Sequence, residues 1–451
     1  MDFLKHRQCV IDDIPEDTIN AWISKMLNYL GGDIWLKKSK NVNHPIVKLW
    51  NRKDFMATNE LINFANAVNI MDGIDSKWTK NTMKNVAGKD YNNAHGAIFE
   101  ILALSVFAES NCKVIPASMG NPGIDGRVEF SNGSALNLSI KYYGTSQPEQ
   151  QFQSYMKEIV SEVEKELKKR AVISADIVLE FKIYPDSPND KKKIKELVFK
   201  ALLQYEENLT RAGIFILNDE LVNIIIRPIK GYNLANNPRS YKIVAVSPMH
   251  KNEYKNLRDK LDDACANLRK HSHVNDKEFN GILIHIHENA DVDSYQKELQ
   301  EYINENCEDP EFPIDYIVLY QPSITLDEKN GQYAVYHNMK PVANIKRVIR
   351  TGRGSMPMPI ITFFLGYGGM DTPKRVLIAN GIKLSQPLKN VYFYQKGEIY
   401  EWAKVNPDGS IKGKLNVIAT GIRLNPVLPI EKGKTVAMQF NTFESDHLEI
   451  T

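Results

Sequence analysis

Cysteine is scarce and never closely spaced: Cys9, Cys112, Cys265 and Cys307 are the only four in 451 residues. Zinc-binding CxxC pairs and a disulfide framework are therefore not expected, and a reducing cytoplasm suits the thiols. No apolar run is long enough to cross a bilayer, and the opening MDFLKHRQCVIDDIPED has no apolar segment of the secretory kind. A cytoplasmic chain without membrane association is the expectation. Internal repeats and low-complexity tracts are missing as well. Charge of one sign is also lacking, because 57 Lys and Arg nearly balance 55 Asp and Glu. What remains is 43% hydrophobic and 25% charged, the composition of a globular chain long enough for two or three domains.

Residues 1–90 carry amphipathic stretches such as DTINAWISKMLNYL and NELINFANAVNIM and predict a helical N-terminal region without evident chemistry. NAHGAIFEILALSVFAE, at 93–109, predicts a buried apolar helix. CKVIP, GIDGRVEF and ALNLSIKYY then predict strands, the last two joined as a hairpin through Asn132-Gly133. A charged helix at 148–170, the strand ADIVLEFKIY, a helix near 190–210 and the strand LVNIIIRPI follow. Next come KIVAVSP, a helix at 251–270, GILIHIH, a helix at 293–305 and DYIVLYQ. Strands alternating with helices indicate α/β architecture with a parallel or mixed sheet. From about 333 onward strands and turns dominate. The expected division is 1–90 helical, 91–215 a first catalytic domain, and 235–451 an α/β then β-rich region, with GYNLANNPRS as the linker.

The hairpin admits more than one register. With a three-residue loop Asn132-Gly133-Ser134, Asp125 faces Lys141, Arg127 faces Ser139 and Glu129 faces Asn137. Ile124, Gly126, Val128 and Phe130 then share an apolar face with Leu136, Leu138 and Ile140. A one-residue slip would mix both faces, so this register is adopted. Glu100 is the only acid between Asn93 and Ala108. A carboxylate inside so apolar a helix needs a partner or a metal. Two carboxylates and a lysine converging on a sheet edge suit phosphodiester hydrolysis. The acids hold a hard cation, which polarises the phosphate and activates water, and the lysine orients that water and offsets developing charge.

The order Glu100 in a helix, Ile124-Asp125 at a strand start and Ser139-Ile140-Lys141 in the next strand resembles the PD-(D/E)xK nuclease superfamily over roughly residues 90–185. The resemblance implies a restriction-endonuclease-like mixed sheet flanked by helices. It also implies Asp125 and the Ile140 carbonyl as Mg2+ ligands (Mn2+ substituting), Lys141 as the water-activating residue, and Glu100 as the helix-borne acid. Isoleucine replaces the family's proline, and Ser139 stands where a second acid is usual, so Glu100 has to complete the site. Glu129, on the same face, is an alternative.

Between Lys329 and Gln395 ten basic residues meet one acid, Asp371, a local charge of +9. Such a field selects phosphate backbones. Lys346, Arg347, Arg350 and Arg353 are the expected nucleic-acid contacts, among aromatics on which bases could stack. In size, order of parts and charge placement the chain is similar to the nuclease–APAZ subunits that partner short prokaryotic Argonautes in bacterial defence. That likeness implies cleavage of DNA, and of RNA as a further substrate, after a guide–target duplex forms, with self-association on activation. A stand-alone type II-like restriction endonuclease and a catalytically degenerate nucleic-acid-binding protein remain as alternatives. Gln147, Gln150, Gln151 and Gln153 read as a solvated helix start. His285 with His287, and His271 with His273, read as packing or helix-end residues.

Overall fold

The computed structural model describes most of residues 3–350, leaving out connections such as 118–122, 208–213, 229–239 and 272–276, and beyond 350 only separate strand segments. Helices α1 (Glu16–Leu30), α2 (Asp33–Lys38), α3 (Pro45–Asn51), α4 (Phe55–Ile74) and α5 (Ser76–Val86) precede α6 (Tyr91–Glu109). Then come β1 (Lys113–Pro116), β2 (Gly126–Glu129) and β3 (Ala135–Tyr143). They are followed by α7 (Gln147–Lys169), β4 (Ser174–Phe181), α8 (Pro188–Glu207), β5 (Phe215–Asn218), β6 (Val222–Pro228) and β7 (Ser240–Ser247). The remaining elements are α9 (Glu253–His271), β8 (Glu278–Ile286), α10 (Val292–Asn306), β9 (Tyr316–Asp327), β10 (Gln332–Ala343) and α11 (Ile345–Arg350). Among the described residues no helix is long and apolar enough to cross a membrane.

The site-bearing sheet is six-stranded and mixed, in the order β1-β2-β3-β8-β9-β10. β1, β2 and β3 form an antiparallel meander, β3 runs parallel to β8 and β8 to β9, and β10 returns antiparallel. Both faces are covered by helices, so its central strands are apolar on both sides. On one face α1, α4, α5 and α6 build a core that takes in Leu136, Leu138 and Ile140 of β3 and Phe279 and Leu283 of β8. On the other, Leu257, Leu261, Ala264 and Leu268 of α9 and Tyr295, Leu299 and Ile303 of α10 pack on Tyr143, Ile282, Ile284 and Ile286. The alternation along β3 and β8 is the pleat itself. Buried between the N-terminal helices and the sheet, α6 is apolar nearly all round, and Asp90 caps it by accepting the Asn92 and Asn93 N–H groups.

A second sheet, in which β5, β6, β4 and β7 lie side by side with β5 at one edge and the strand segments Thr435–Phe440 and Glu449–Ile450 continue beyond β7, has its own core. Phe152, Met156 and Ile159 of α7, Ile177 and Leu179 of β4, Val198 and Leu202 of α8, and Val222, Ile224 and Ile226 of β6 build it. The elements from α7 to β7 all fall in the chain between β3 and α9, while the two C-terminal segments of the sheet do not. The expected break between 215 and 235 is therefore no boundary between sheets. β6 and β7 lie on either side of it in one sheet, and β3 pairs with β8 far beyond it. Parallel pairing is non-local, so alternating strands and helices do not say which strands share a sheet. The linker expected at GYNLANNPRS lies almost wholly outside the described residues.

The hairpin register differs from the expected one. Arg127 pairs with Asn137 and Glu129 with Ala135, a shift of two residues. The loop does hold three residues, but they are Ser131, Asn132 and Gly133. Phe130 closes it, donating its N–H to Ser134 O at 2.9 Å and accepting from Gly133 N at 3.0 Å. Gly133 has φ 79°. In a three-residue hairpin loop the left-handed residue comes last, which places the loop one position earlier than expected. Asn132 Oδ1 stiffens it by accepting Ser134 N–H at 2.9 Å. A shift of two preserves parity, so Arg127 and Glu129 keep the side assigned to them in the strand pattern, whereas Asp125 lies before the paired residues and does not. Ile124 does not join Ile140: it packs on the α9 side, because the chain leaves the pleat before Gly126.

Gly133→Ala should lower unfolding free energy by about 1 kcal/mol in urea titration, since left-handed backbone strains a Cβ. Gly133→Asn should cost less, and Gly133→Val more. Equal stability of all three would contradict the turn.

Candidate functional site

At Asp125 β2 parts from β3. The Asp125 N–H donates to Leu138 O at 2.8 Å and its C=O accepts from Ala117 N at 3.1 Å. Its Oδ2 accepts the Ile140 N–H at 2.5 Å. The carboxylate thus takes the place of the next rung of the ladder and lies in the plane of the sheet. Ser139 Oγ and Lys141 Nζ each stand 3.5 Å from the same oxygen. By the alternation of β3, Lys141 emerges on the α9 side with Tyr143, while Glu100 comes from α6 on the opposite layer. An in-plane carboxylate at a strand's edge can be met from both.

Glu100 is part-buried, and its carboxyl is pushed up to about 8, first by burial, then by Asp125, with Lys141 opposing. Among the described residues no hydrogen bond or ion pair reaches it. Glu100, Asp125 and Lys141 thus act on one another electrostatically, although the register from which they were grouped in sequence was two residues off. Glu129 is not an alternative acid. It points away into ion pairs with Lys113 at 2.8 Å and Arg127 at 3.6 Å. Ser139 is buried at 1% exposure. Among the described residues no group of three or more His, Cys, Asp or Glu is placed to hold a metal. The oxygen donors available are two carboxylates and backbone carbonyls.

Several neighbours were not foreseen. His95 stacks on Tyr142 with ring centroids 4.4 Å apart and planes 4° apart. Its imidazole is held down to about 4 by burial, with Lys48 and His44 adding, so it is uncharged at neutral pH. His285 packs against Phe99, Tyr142 and Tyr320, consistent with the packing role expected of it, while His287 and His273 lie outside the described residues. His271 ends α9 against Gly123, where any Cβ would fall 1.7 Å from the ring. That close approach pins the segment leading into Asp125. Only a glycine could admit it, a signal visible in sequence but without a partner to give it meaning. Gln147, Gln150 and Gln151 open α7 as anticipated.

The basic segment is different from expectation where it is described. Arg347 is buried. Its guanidinium donates to Asp315 Oδ1 at 2.9 Å and to Phe312 O at 2.5 Å, and Asp315 is wholly inaccessible. A guanidinium spent in this way is a structural group, and the phosphate role expected of it is dropped. Lys346 pairs with Glu308, and Lys340 with Asp293 at 2.9 Å. Arg350 ends α11, but its side chain and all of Arg353 lie outside the described residues.

Two measurements follow. Between about pH 5 and pH 8 the folded, metal-free protein keeps a proton on Glu100 that the unfolded chain, near the ordinary 4.5, has lost. Stability therefore falls as pH rises through that window. Glu100→Gln should match wild type near pH 5 and melt increasingly above it towards pH 8, in chelator; a pH-independent difference would contradict the buried acid. Arg347→Ala should cost about 3–5 kcal/mol in denaturant titration because it strands buried Asp315, whereas Lys346→Ala should leave the melting temperature nearly unchanged.

No family model, no curated protein and no solved structure matches this chain, so its activity has to be inferred from this geometry.

Proposed function

We propose that this chain is a metal-dependent nuclease whose restriction-endonuclease-like core consists of α6, β1, β2, β3, α9 and β8. The observation that carries this is the meeting of Glu100, Asp125 and Lys141 where β2 parts from β3, with Glu100 unpartnered among the described residues. Two carboxylates of which one is forced to hold a proton are a poor arrangement for stability alone. They suit a hard divalent cation, which takes oxygen donors and favours the ionised form.

Asp125 and Glu100 would hold Mg2+ or Mn2+, with the Ile140 carbonyl as a further oxygen. When bound, the cation supplies Lewis-acid polarisation of the phosphodiester. The chain's own groups do the rest. The Ile140 N–H fixes one Asp125 oxygen and leaves the other free. Lys141 Nζ, on the α9 side, orients the attacking water and offsets charge developing on the phosphoryl oxygens. Burial of Glu100 on α6 keeps its carboxyl out of bulk water. The β-rich C-terminal part is proposed to hold nucleic acid, as DNA, RNA or a guide–target duplex, with a short Argonaute as the activating partner.

A second reading is a degenerate binding protein. Buried Ser139 in place of an acid, and only two acidic side chains at the edge, favour it.

Magnesium-dependent cleavage separates the two. With plasmid, single-stranded DNA and RNA as substrates, Lys141→Ala and Asp125→Ala should each reduce cleavage at least about a hundredfold while leaving the fold intact. Activity persisting in both variants, or no cleavage by wild type with Mg2+ or Mn2+ and a co-purified Argonaute present, would remove the nuclease assignment.

A further inference from the structure

We propose that Lys260, on α9, is the second cation of this site and, with Lys141, holds a backbone phosphate of the strand beside the scissile bond. This rests on the nuclease proposal above and names a substrate-binding residue that the sequence pattern did not single out.

The placement is fixed by three contacts. α9 lies across β3 on the face from which Lys141 emerges, its apolar stripe Leu257, Leu261 and Ala264 packed with Tyr143, Ile282 and Ile284. At its start, Tyr143 Oη donates to Glu253 Oε2 at 2.8 Å and lies 2.7 Å from the Glu253 carbonyl. Arg258 ties the helix to α10 through Glu298 and Glu305, which sets its rotation. The chain crosses from β3 through α9 to a parallel strand, so α9 runs antiparallel to β3. Seven residues make nearly two helical turns, so Lys260 lies on the same stripe as Glu253. Descending α9 from Glu253 to Lys260 covers about 10 Å and descending β3 from Tyr143 to Lys141 about 7 Å, so both lysines lie on the same side of the Tyr143–Glu253 contact.

The electrostatics agree with this placement. Lys260 is exposed on α9, yet the part of it that is desolvated and the charge of Lys141 hold its ammonium below the ordinary lysine value, with Asp263 opposing. Among the described residues Lys260 has no hydrogen bond or ion pair. Lys141 has Asp125 at 3.5 Å. Two like charges held near each other, one of them offset only by Asp263 on its own helix, repel until an anion lies between them. A phosphate diester is the anion a nuclease brings, and lysine meets it as a point charge.

Short fluorescent duplex DNA, single-stranded DNA and single-stranded RNA, titrated in chelator so that nothing is cut, provide the test. Lys260→Ala should bind the preferred strand about tenfold more weakly, the size of a lost charge-assisted contact. Its log–log salt slope should flatten by about one. Lys260→Arg should bind like wild type, which separates lost charge from lost fold. With Mg2+, Lys260→Ala should raise KM about tenfold while kcat stays within about threefold. If wild type cleaves but Lys260→Ala keeps its affinity, salt slope and KM, Lys260 is an ordinary solvated lysine and the nuclease proposal stands without it. If wild type neither binds nor cleaves any strand, both fall together.

Discussion

Asp125 gives one carboxylate oxygen to the Ile140 N–H at the point where β2 separates from β3, and the site is arranged around that bond. A backbone donor exposed at a parting of strands needs an acceptor. Here the acceptor is a side chain, which brings a negative charge into the plane of the sheet. Lys141 approaches it from one layer and Glu100 from the other. The same contact explains why Ile124 turns to the α9 side: the chain is no longer in the pleat when it reaches Asp125. His271 against Gly123 holds the approach from outside.

The opposite end of the sheet is fixed by a polar network. Arg127 reaches Glu278 at 3.0 Å, Asn137 reaches Asn280 at 3.1 Å, and the Asn280 N–H donates to Asp315 at 2.7 Å. Arg347 closes the chain on Asp315. These residues lie on or beside β2, β3, β8, β9 and α11, so the network sets the register of four strands at once. Buried polar groups are costly unless paired, and here each partner lies in another element. That is why Arg347, one basic residue among ten in its stretch of sequence, has a different role from its neighbours. The elements from α7 to β7, which intervene between β3 and α9, leave this network undisturbed, because the chain leaves and returns at one end of β3.

The helices and most strands could be read locally, because their apolar periods are set by the pleat and the helical turn. α6 declared itself through a run of apolar residues interrupted by one acid, Glu100, which feels the charges of Asp125 and Lys141. Asp125 and Lys141 were legible as neighbours because the hairpin brings them together even with the register off by two, although Asp125 meets Lys141 from the plane of the sheet and not from one face of it. Which residue of the loop takes the left-handed conformation decided that register, and Gly133 alone can take it without strain. The sequence contained that information, but in the wrong place in the loop.

Other features depended on tertiary structure. The pairing of β3 with β8, across more than a hundred intervening residues, follows from the burial of both sheet faces and leaves no local mark. Lys260 looks like any lysine on a charged helix until α9 is laid antiparallel over β3. Arg347 looks like a phosphate contact until Asp315 is placed beneath it. Periodicity reports what a residue does within its own element, and so the sequence by itself determined the elements, their apolar faces and the acid–lysine pair. Long-range pairing and the partners of charged side chains depend on which surfaces meet, and only the folded chain decided those.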